Sequence, residues 1–466
     1  MMKKVVKKSV LFIFPPIYEF ALYDLFCRPF ALMRLQKWFK ENGWSTHFIN
    51  ALSYDDTLSN QILGSVKREK NGQGHFYKKQ LRQGEAVVSL PSQLFSVPRH
   101  FCRYGIAYES IEKQLQDYKV SNGGSPQVVC ISSSMVYWYK GVEEAVAICR
   151  RIFDSSKIVV GGVYATLLSE HCKNVCKPDA VITSSGAQPI NELLSKLLDD
   201  FTPLQNEIPL TPDIDEKAWG KGDEGAGVIR LNEGCFLNCD YCASKLISPK
   251  FIPGNYMQWI EFVYALNDLY GISHFGFYDD ALLGGQETVL YPFLEKIIAD
   301  GRDFSFYAPN ALHIRLINEK NINLMALAGF KEVRLGFESD QGKFHKKYDN
   351  KYRYSDFKKA VSIIHKAGFK PKDIRCYILA GLPNQKWQEV ETAIKVVGEN
   401  GAQPVVAEFT PIPKSQLWEK CVKESIYPIE TEPLFTNNSL FPLQHSGFTP
   451  QDMGRMKNYA RNFLHK

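Results

Sequence analysis

Short apolar runs rich in β-branched and aromatic residues alternate along the chain with stretches whose apolar positions recur every three or four residues. Residues 9–14 (SVLFIF) read as a strand. From Phe30 to Phe39 the apolar positions keep helical spacing until Asn42-Gly43 closes the helix, and 45–50 (STHFIN) returns to strand character. The pattern repeats with a strand at 127–132, a helix at 141–153 and a strand at 157–161 ended by Gly161-Gly162. A strand at 179–183, Gly186 and a helix at 189–200 complete it. Alternating strands and helices predict an α/β fold, here a Rossmann-like, doubly wound, mostly parallel sheet over residues 1–205. Residues 206–222, with Pro209 and Pro212 and few periodic apolar positions, are expected to be a linker. A second series follows, with strands at 226–231, 273–278, 303–308, 332–336, 373–380 and 404–409, each separated by a helical stretch. Six such units over 223–424 predict a partial (β/α)6 barrel of TIM type, and 425–466 a short C-terminal extension.

An insertion at about 60–108 interrupts the first series. Its Lys, Arg, Gln and Gly content suits a solvated loop, while Arg103 among the aromatics of 98–106 suits a substrate-contacting flap. With 45% hydrophobic and 23% charged residues among 466, the chain is neither disordered nor a coiled coil. A net charge of +6 is too dilute at this length to imply nucleic acid. No apolar run approaches the roughly 18 residues that span a bilayer. The basic start has an apolar core of only Val10 to Phe14 before Pro15-Pro16, which reads as a first strand rather than a signal peptide. Eleven cysteines, three of them clustered and most others inside apolar runs, suit a reducing cytoplasm and a metal site.

The cluster is Gly234-Cys235-Phe236-Leu237-Asn238-Cys239-Asp240-Tyr241-Cys242, on the loop after the first barrel strand. Thiolates at this C-x3-C-x2-C spacing bind iron–sulfur clusters or zinc. Structural zinc normally takes four ligands, and no fourth lies nearby in sequence. Three thiolates would leave one iron of a 4Fe-4S cube open, and the end of a barrel strand is where such folds place their chemistry. A zinc site with a distant fourth ligand, and three incidental thiols, are the alternatives. His171-Cys172-x3-Cys176 reads as incidental, and Tyr137-Trp138-Tyr139 as packing.

The motif, with an aromatic before its last cysteine and a six-strand partial barrel behind it, resembles the radical S-adenosylmethionine (SAM) enzymes over about 225–415. The resemblance implies SAM contacts at the ends of the following strands: Asp279 and Asp280 in Phe277-Tyr278-Asp279-Asp280, Asn310 and His313, Gly336 and Glu338, and Gly381. Asp279 and Glu338 would be catalytic. The second-strand segment replaces the commoner Gly-Gly-Glu. Residues 1–205 resemble the cobalamin-binding-like domain that precedes the barrel in one radical SAM class. Ser133, Ser134, Gly161, Gly162, Tyr164 and Gly186 would then line a corrinoid groove. The chain lacks that domain's D-x-H-x-x-G motif, and Ser184-Ser185-Gly186-Ala187-Gln188 stands where an acidic segment is usual. The implied activity is cleavage of SAM to a 5′-deoxyadenosyl radical, followed by cobalamin-dependent C-methylation of a small molecule. A reductant such as ferredoxin or flavodoxin would supply the electron. Alternatives are a corrinoid-free radical SAM enzyme, or an iron–sulfur or zinc protein that senses or carries electrons.

Overall fold

The computed structural model describes residues 8–465; the basic start at 1–7 lies outside the described residues. The chain forms two compact units, 1–225 and 226–466.

The first unit is built on five parallel strands: β1 (Ser9–Phe14), β2 (Ser45–Asn50), β3 (Val128–Ser133), β4 (Lys157–Gly162) and β5 (Ala180–Val181). Their order is β2-β1-β3-β4-β5, a doubly wound arrangement whose direction reverses between β1 and β3. Val10 to Ile13, Val128, Val129 and Ile158 to Val160 are buried, as expected of strands covered on both faces. Helix α1 (Phe30–Glu41) buries Phe30, Leu32, Met33, Trp38 and Phe39. The stretch expected to link the domains packs on α1's polar side. Arg34 Nε donates to Pro209 O at 2.6 Å, Trp38 Nε1 to Gln205 O at 2.8 Å and Gln36 Nε2 to Asp213 Oδ2 at 2.8 Å.

The insertion is a solvated loop only in part. Cys102–Tyr104 pairs with Ile17–Glu19 on one side and with Lys78–Gln80 on the other, forming an antiparallel sheet. Two of its arginines are buried ion-pair partners. Arg68 Nη2 lies 2.8 Å from Asp24 Oδ2, which Arg28 also holds at 2.7 Å. Arg103 grips Glu144 with Nη2 at 2.6 Å from Oε1 and Nε at 2.8 Å from Oε2, while Tyr18 donates to the same carboxylate at 2.6 Å. Glu144 belongs to helix α2 (Tyr139–Ile152). Removing one member of such a pair strands a charge in the interior, so these contacts pin the insertion to the sheet. Helix α3 (Ala187–Leu197) follows β5.

In the second unit all six expected strands are present: β6 (Gly227–Ile229), β7 (His274–Phe277), β8 (Ser305–Tyr307), β9 (Val333–Glu338), β10 (Ile374–Ala380) and β11 (Gln403–Glu408). They form two parallel three-stranded walls, β8-β7-β6 and β9-β10-β11. The seam between β8 and β9 is stapled by the segment after β8. Leu312 N donates to Arg334 O at 2.7 Å and Gly336 N to Leu312 O at 3.2 Å. The C-terminal helix Pro450–Arg461 covers the outer edge strand, with Lys457 Nζ 2.7 Å from Glu408 and Ala460 O accepting from Gln403 at 2.7 Å. Among the described residues no helix is long and apolar enough to cross a membrane.

Candidate metal centre

The three clustered cysteines occupy the tip of an irregular hairpin that leaves β6. Its base is closed by antiparallel pairing of Asn232-Glu233 with Ile252-Pro253. Gly234 turns the chain into the tip with φ +75°, and a Cβ there would lie 2.3 Å from Lys250 O, so only glycine fits. Cys235 is buried, Cys239 half-buried and Cys242 exposed. Leu237 N donates to Cys235 Sγ at 3.4 Å and Ser244 N to Cys242 Sγ at 3.4 Å, with Ser244 Oγ 3.2 Å from the same sulfur. Amide donors aimed at sulfur stabilise thiolates and tune a bound cluster.

Burial raises the Cys235 thiol and pushes Cys239 up to about 12, against the pull of Lys351 on both. Metal loading would therefore release protons. Cys242 is the electrostatic neighbour of both other thiols. Yet among the described residues no three His, Cys, Asp or Glu groups gather as a single ion requires.

One flank of the hairpin rests on the segment after β9, where helix α4 (Gly342–Tyr348) lies. Asp240 N donates to Tyr348 O at 2.9 Å, and the Tyr241 ring stacks on Phe344 at 6.2 Å. Tyr241 also donates to Asp349 Oδ2 at 2.7 Å. The other oxygen of Asp349 meets His345 Nδ1 at 2.8 Å, and His345 Nε2 meets Ser339 O at 2.9 Å. Burial alone would raise the Asp349 carboxyl, but hydrogen bonds from His345 and Tyr241 hold it below its usual value.

Lys351 follows, its ammonium 2.5 Å from Glu338 Oε1 and 5.3 Å from the Tyr241 ring centroid. Burial alone would lower it, but the Glu338 carboxylate keeps its pKa above the ordinary lysine value. Lys351, Asp349 and His345 escape sequence reasoning, because no spacing motif joins them to the cysteines. Exchanging Lys351 for Met together with Glu338→Gln removes both members of the pair, of which the ammonium is the one that acts on the Cys235 and Cys239 thiols. The reconstituted cluster should then reduce at a potential lower by on the order of 50 mV, read by dye-mediated titration.

The other singled-out barrel residues divide into free and committed groups. Glu338 ends β9 at a break in register with φ +59°, an uncommon conformation for a residue with a side chain, and is buried. Gly336 sits beneath it: a Cβ there would lie 3.0 Å from Glu338 Oε1 and 3.6 Å from Lys351 Nζ. His313 lies on the stapling segment with Nε2 3.8 Å from Cys235 Sγ, and its Nδ1 is buried without a partner. Burial and, secondarily, Lys351 lower its pKa to about 4, so the imidazole is neutral near pH 7.

Asp279 is wholly committed. Its oxygens accept from Leu231 N at 3.0 Å, Asn232 N at 2.6 Å and Asn232 Nδ2 at 3.1 Å, bracing the base of the cysteine hairpin. Burial outweighs these donors and pushes the carboxyl up to about 7. Asp280 hydrogen-bonds Ser244, the residue that holds Cys242. Asn310 Nδ2 spans Tyr278 O and Asp279 O at 3.3 and 3.2 Å. Gly381 N donates to Gln385 Oε1 at 2.7 Å, and a Cβ at Gly381 would meet Phe441 at 2.8 Å.

In the first unit most of the residues assigned to a corrinoid groove serve the fold. Ser133 Oγ donates to Gly161 O at 2.9 Å and accepts from Ala165 N at 3.1 Å. Ser134 O accepts from Tyr164 N at 3.0 Å. Gly162 has φ +107°, and a Cβ would sit 2.1 Å from Ser133 O. Tyr164 is fully buried, stacked on Tyr139 at 5.6 Å with its hydroxyl 2.7 Å from His171 Nδ1; it is core, not groove wall. Gly186 has φ +105° at the start of α3. Gly161 differs from its neighbours: its backbone is not in the left-handed region and a Cβ would meet nothing nearer than Ile182 Cβ at 3.7 Å. The backbone therefore does not demand glycine there.

Residues 229–397 match the sequence model of the Radical SAM superfamily. No curated protein matches the chain. Among solved structures, the chain is similar to the radical SAM methyltransferase TsrM from Kitasatospora setae with tryptophan and a SAM analogue bound. The TM-score is 0.63 at 12% identity, covering 96% of this chain and 89% of that one. The same enzyme with cobalamin and a [4Fe-4S] cluster gives 0.62 at 13%, covering 91% and 80%. The cobalamin-dependent SAM radical enzyme OxsB gives 0.51 at 14%, covering 95% of this chain and 57% of that one. At such identities the likeness speaks for the fold, a Rossmann-like unit ahead of a partial barrel. The second unit thus carries a Radical SAM domain over residues 229–397.

Proposed function

We propose that Cys235, Cys239 and Cys242 hold the 4Fe-4S cluster that cleaves SAM, and that the first unit binds cobalamin for C-methylation of a small molecule. The observation that carries this reading is the hairpin tip itself. Three thiols stand at the carboxyl end of β6 in a C-x3-C-x2-C spacing, two of them receiving amide donors. The bound cluster supplies an open iron and the electron that splits the sulfonium. The chain's own residues do the holding. Leu237 N and Ser244 N steady the sulfurs, and the Lys351 ammonium offsets their negative charge. The orphaned Nδ1 of His313 offers a polar contact to SAM beside Cys235. The fold's likeness to TsrM and OxsB supports cobalamin. The internal roles of Ser133, Gly162 and Tyr164 favour the second reading, a corrinoid-free radical SAM enzyme. The eleven cysteines suit a reducing cytoplasm.

The test is anaerobic reconstitution with iron and sulfide, addition of dithionite and SAM, and chromatography for 5′-deoxyadenosine. Protein that carries a full cluster and yields none would overturn SAM cleavage.

A further inference from the structure

The charge of this chain is unevenly placed. Residues 342–373 contain ten Lys or Arg against three Asp, a net +7, whereas the whole chain carries +6. The remaining residues are therefore close to neutral, and the positive charge belongs to α4, α5 (Tyr354–Lys366) and the loop after it. Of the three acids, Asp349 is buried under Tyr241 and His345, and Asp356 caps the start of α5 by accepting from Arg353 N at 2.8 Å. Neither screens the outer surface.

Helix α4 faces two ways. Phe344, His345 and Tyr348 point towards the cysteine hairpin through the stacking, the Asp349 relay and the Asp240 N to Tyr348 O bond. Lys343, Lys346 and Lys347 are exposed, and no carboxylate lies within salt-bridge distance of them among the described residues. Lys347 feels Asp240 of the cysteine motif electrostatically, which places this lysine edge beside the hairpin tip. The lysines thus lie on a helix whose other face contacts the cysteine hairpin directly. A charge run alone is usually a solvated face. A run that holds all of the chain's excess charge, and whose helix rests directly on the cluster loop, has a specific use.

We infer that the outer face of α4, Lys343, Lys346 and Lys347, is the docking surface for an acidic one-electron carrier protein of the flavodoxin or ferredoxin kind. This rests on the radical SAM reading above. One electron leaves the reduced carrier, which is oxidised by one, and enters the site held by Cys235, Cys239 and Cys242. No bond is made and no other reactant is needed. The lysines of α5 extend the positive field and steer the encounter, so association depends on ionic strength.

The experiment compares full-length reconstituted protein with Lys343→Glu/Lys346→Glu/Lys347→Glu, and with the milder Gln triple should the charge reversal disturb folding. Binding of an acidic flavodoxin is measured calorimetrically at low salt and at about 0.5 M salt, where exposed charges are screened. SAM cleavage is measured with reduced flavodoxin and, separately, with dithionite. The expected result is affinity weakened on the order of tenfold at low salt, a difference that closes at high salt, and an unchanged dithionite-driven rate. Equal flavodoxin affinity in variant and parent would overturn the proposal. So would an equal loss of the dithionite-driven rate, which would assign the lysines to SAM or substrate instead. If the parent protein itself cleaves no SAM with dithionite, the radical SAM reading fails, while the calorimetry still decides the docking surface.

Discussion

Alanine at Cys235, Cys239 or Cys242 is expected to empty the protein of its cluster. Each thiolate anchors a different iron of a cube, and one loop has no spare sulfur to replace it. The parent protein should carry about four iron per chain with a brown chromophore after anaerobic reconstitution; each variant should fall towards zero and form no 5′-deoxyadenosine. Cys172→Ala and Cys176→Ala are the controls. Both cysteines are buried in the first unit, Cys176 behind the Tyr164 hydroxyl, and their loss should leave the iron unchanged. Iron content by colorimetry decides the matter without any substrate. If Cys176→Ala removed as much iron as Cys239→Ala, the ligand set would be wrong.

The second large effect separates two adjacent glycines. Gly162→Ala should damage the fold: the φ of +107° costs a side chain about 1–3 kcal/mol, and the new Cβ would overlap Ser133 O. Gly161→Leu should be tolerated far better, since its φ is not in the left-handed region and its Cβ meets only Ile182 at 3.7 Å, while the longer side chain projects at the end of β4. Protein expressed with hydroxocobalamin uptake and purified anaerobically should show a stoichiometric corrinoid spectrum, lost in Gly161→Leu while its melting temperature stays near the parent's. A parent protein that carries no corrinoid yet cleaves SAM would overturn cobalamin-dependent methylation.

The strands were readable because buried parallel strands are apolar along their whole length, and SVLFIF or VRLGF can do little else. The cysteines were readable because cluster ligation demands a fixed local spacing. What escaped reading is tertiary. Arg68 and Arg103 look like any solvated cation until the fold brings Asp24 and Glu144 to them. Tyr164 follows paired glycines, as a groove residue would, but its ring turns inward onto Tyr139 and His171. Asp279 stands at the strand end where a SAM contact was expected, and its oxygens are taken by the neighbouring loop. The concentration of lysines at 342–373 was visible in the letters, but an average over the whole chain dissolves it.

The split barrel wall has a mechanical consequence. No ladder joins Ser305–Tyr307 to Val333–Glu338; closure there depends on isolated backbone bonds, of Phe306 with Gly329 and Lys331 and of Leu312 with Arg334 and Gly336. The segment of Leu312 also carries His313, beside Cys235. A seam held by such isolated bonds opens at lower cost than the continuous ladders within each wall.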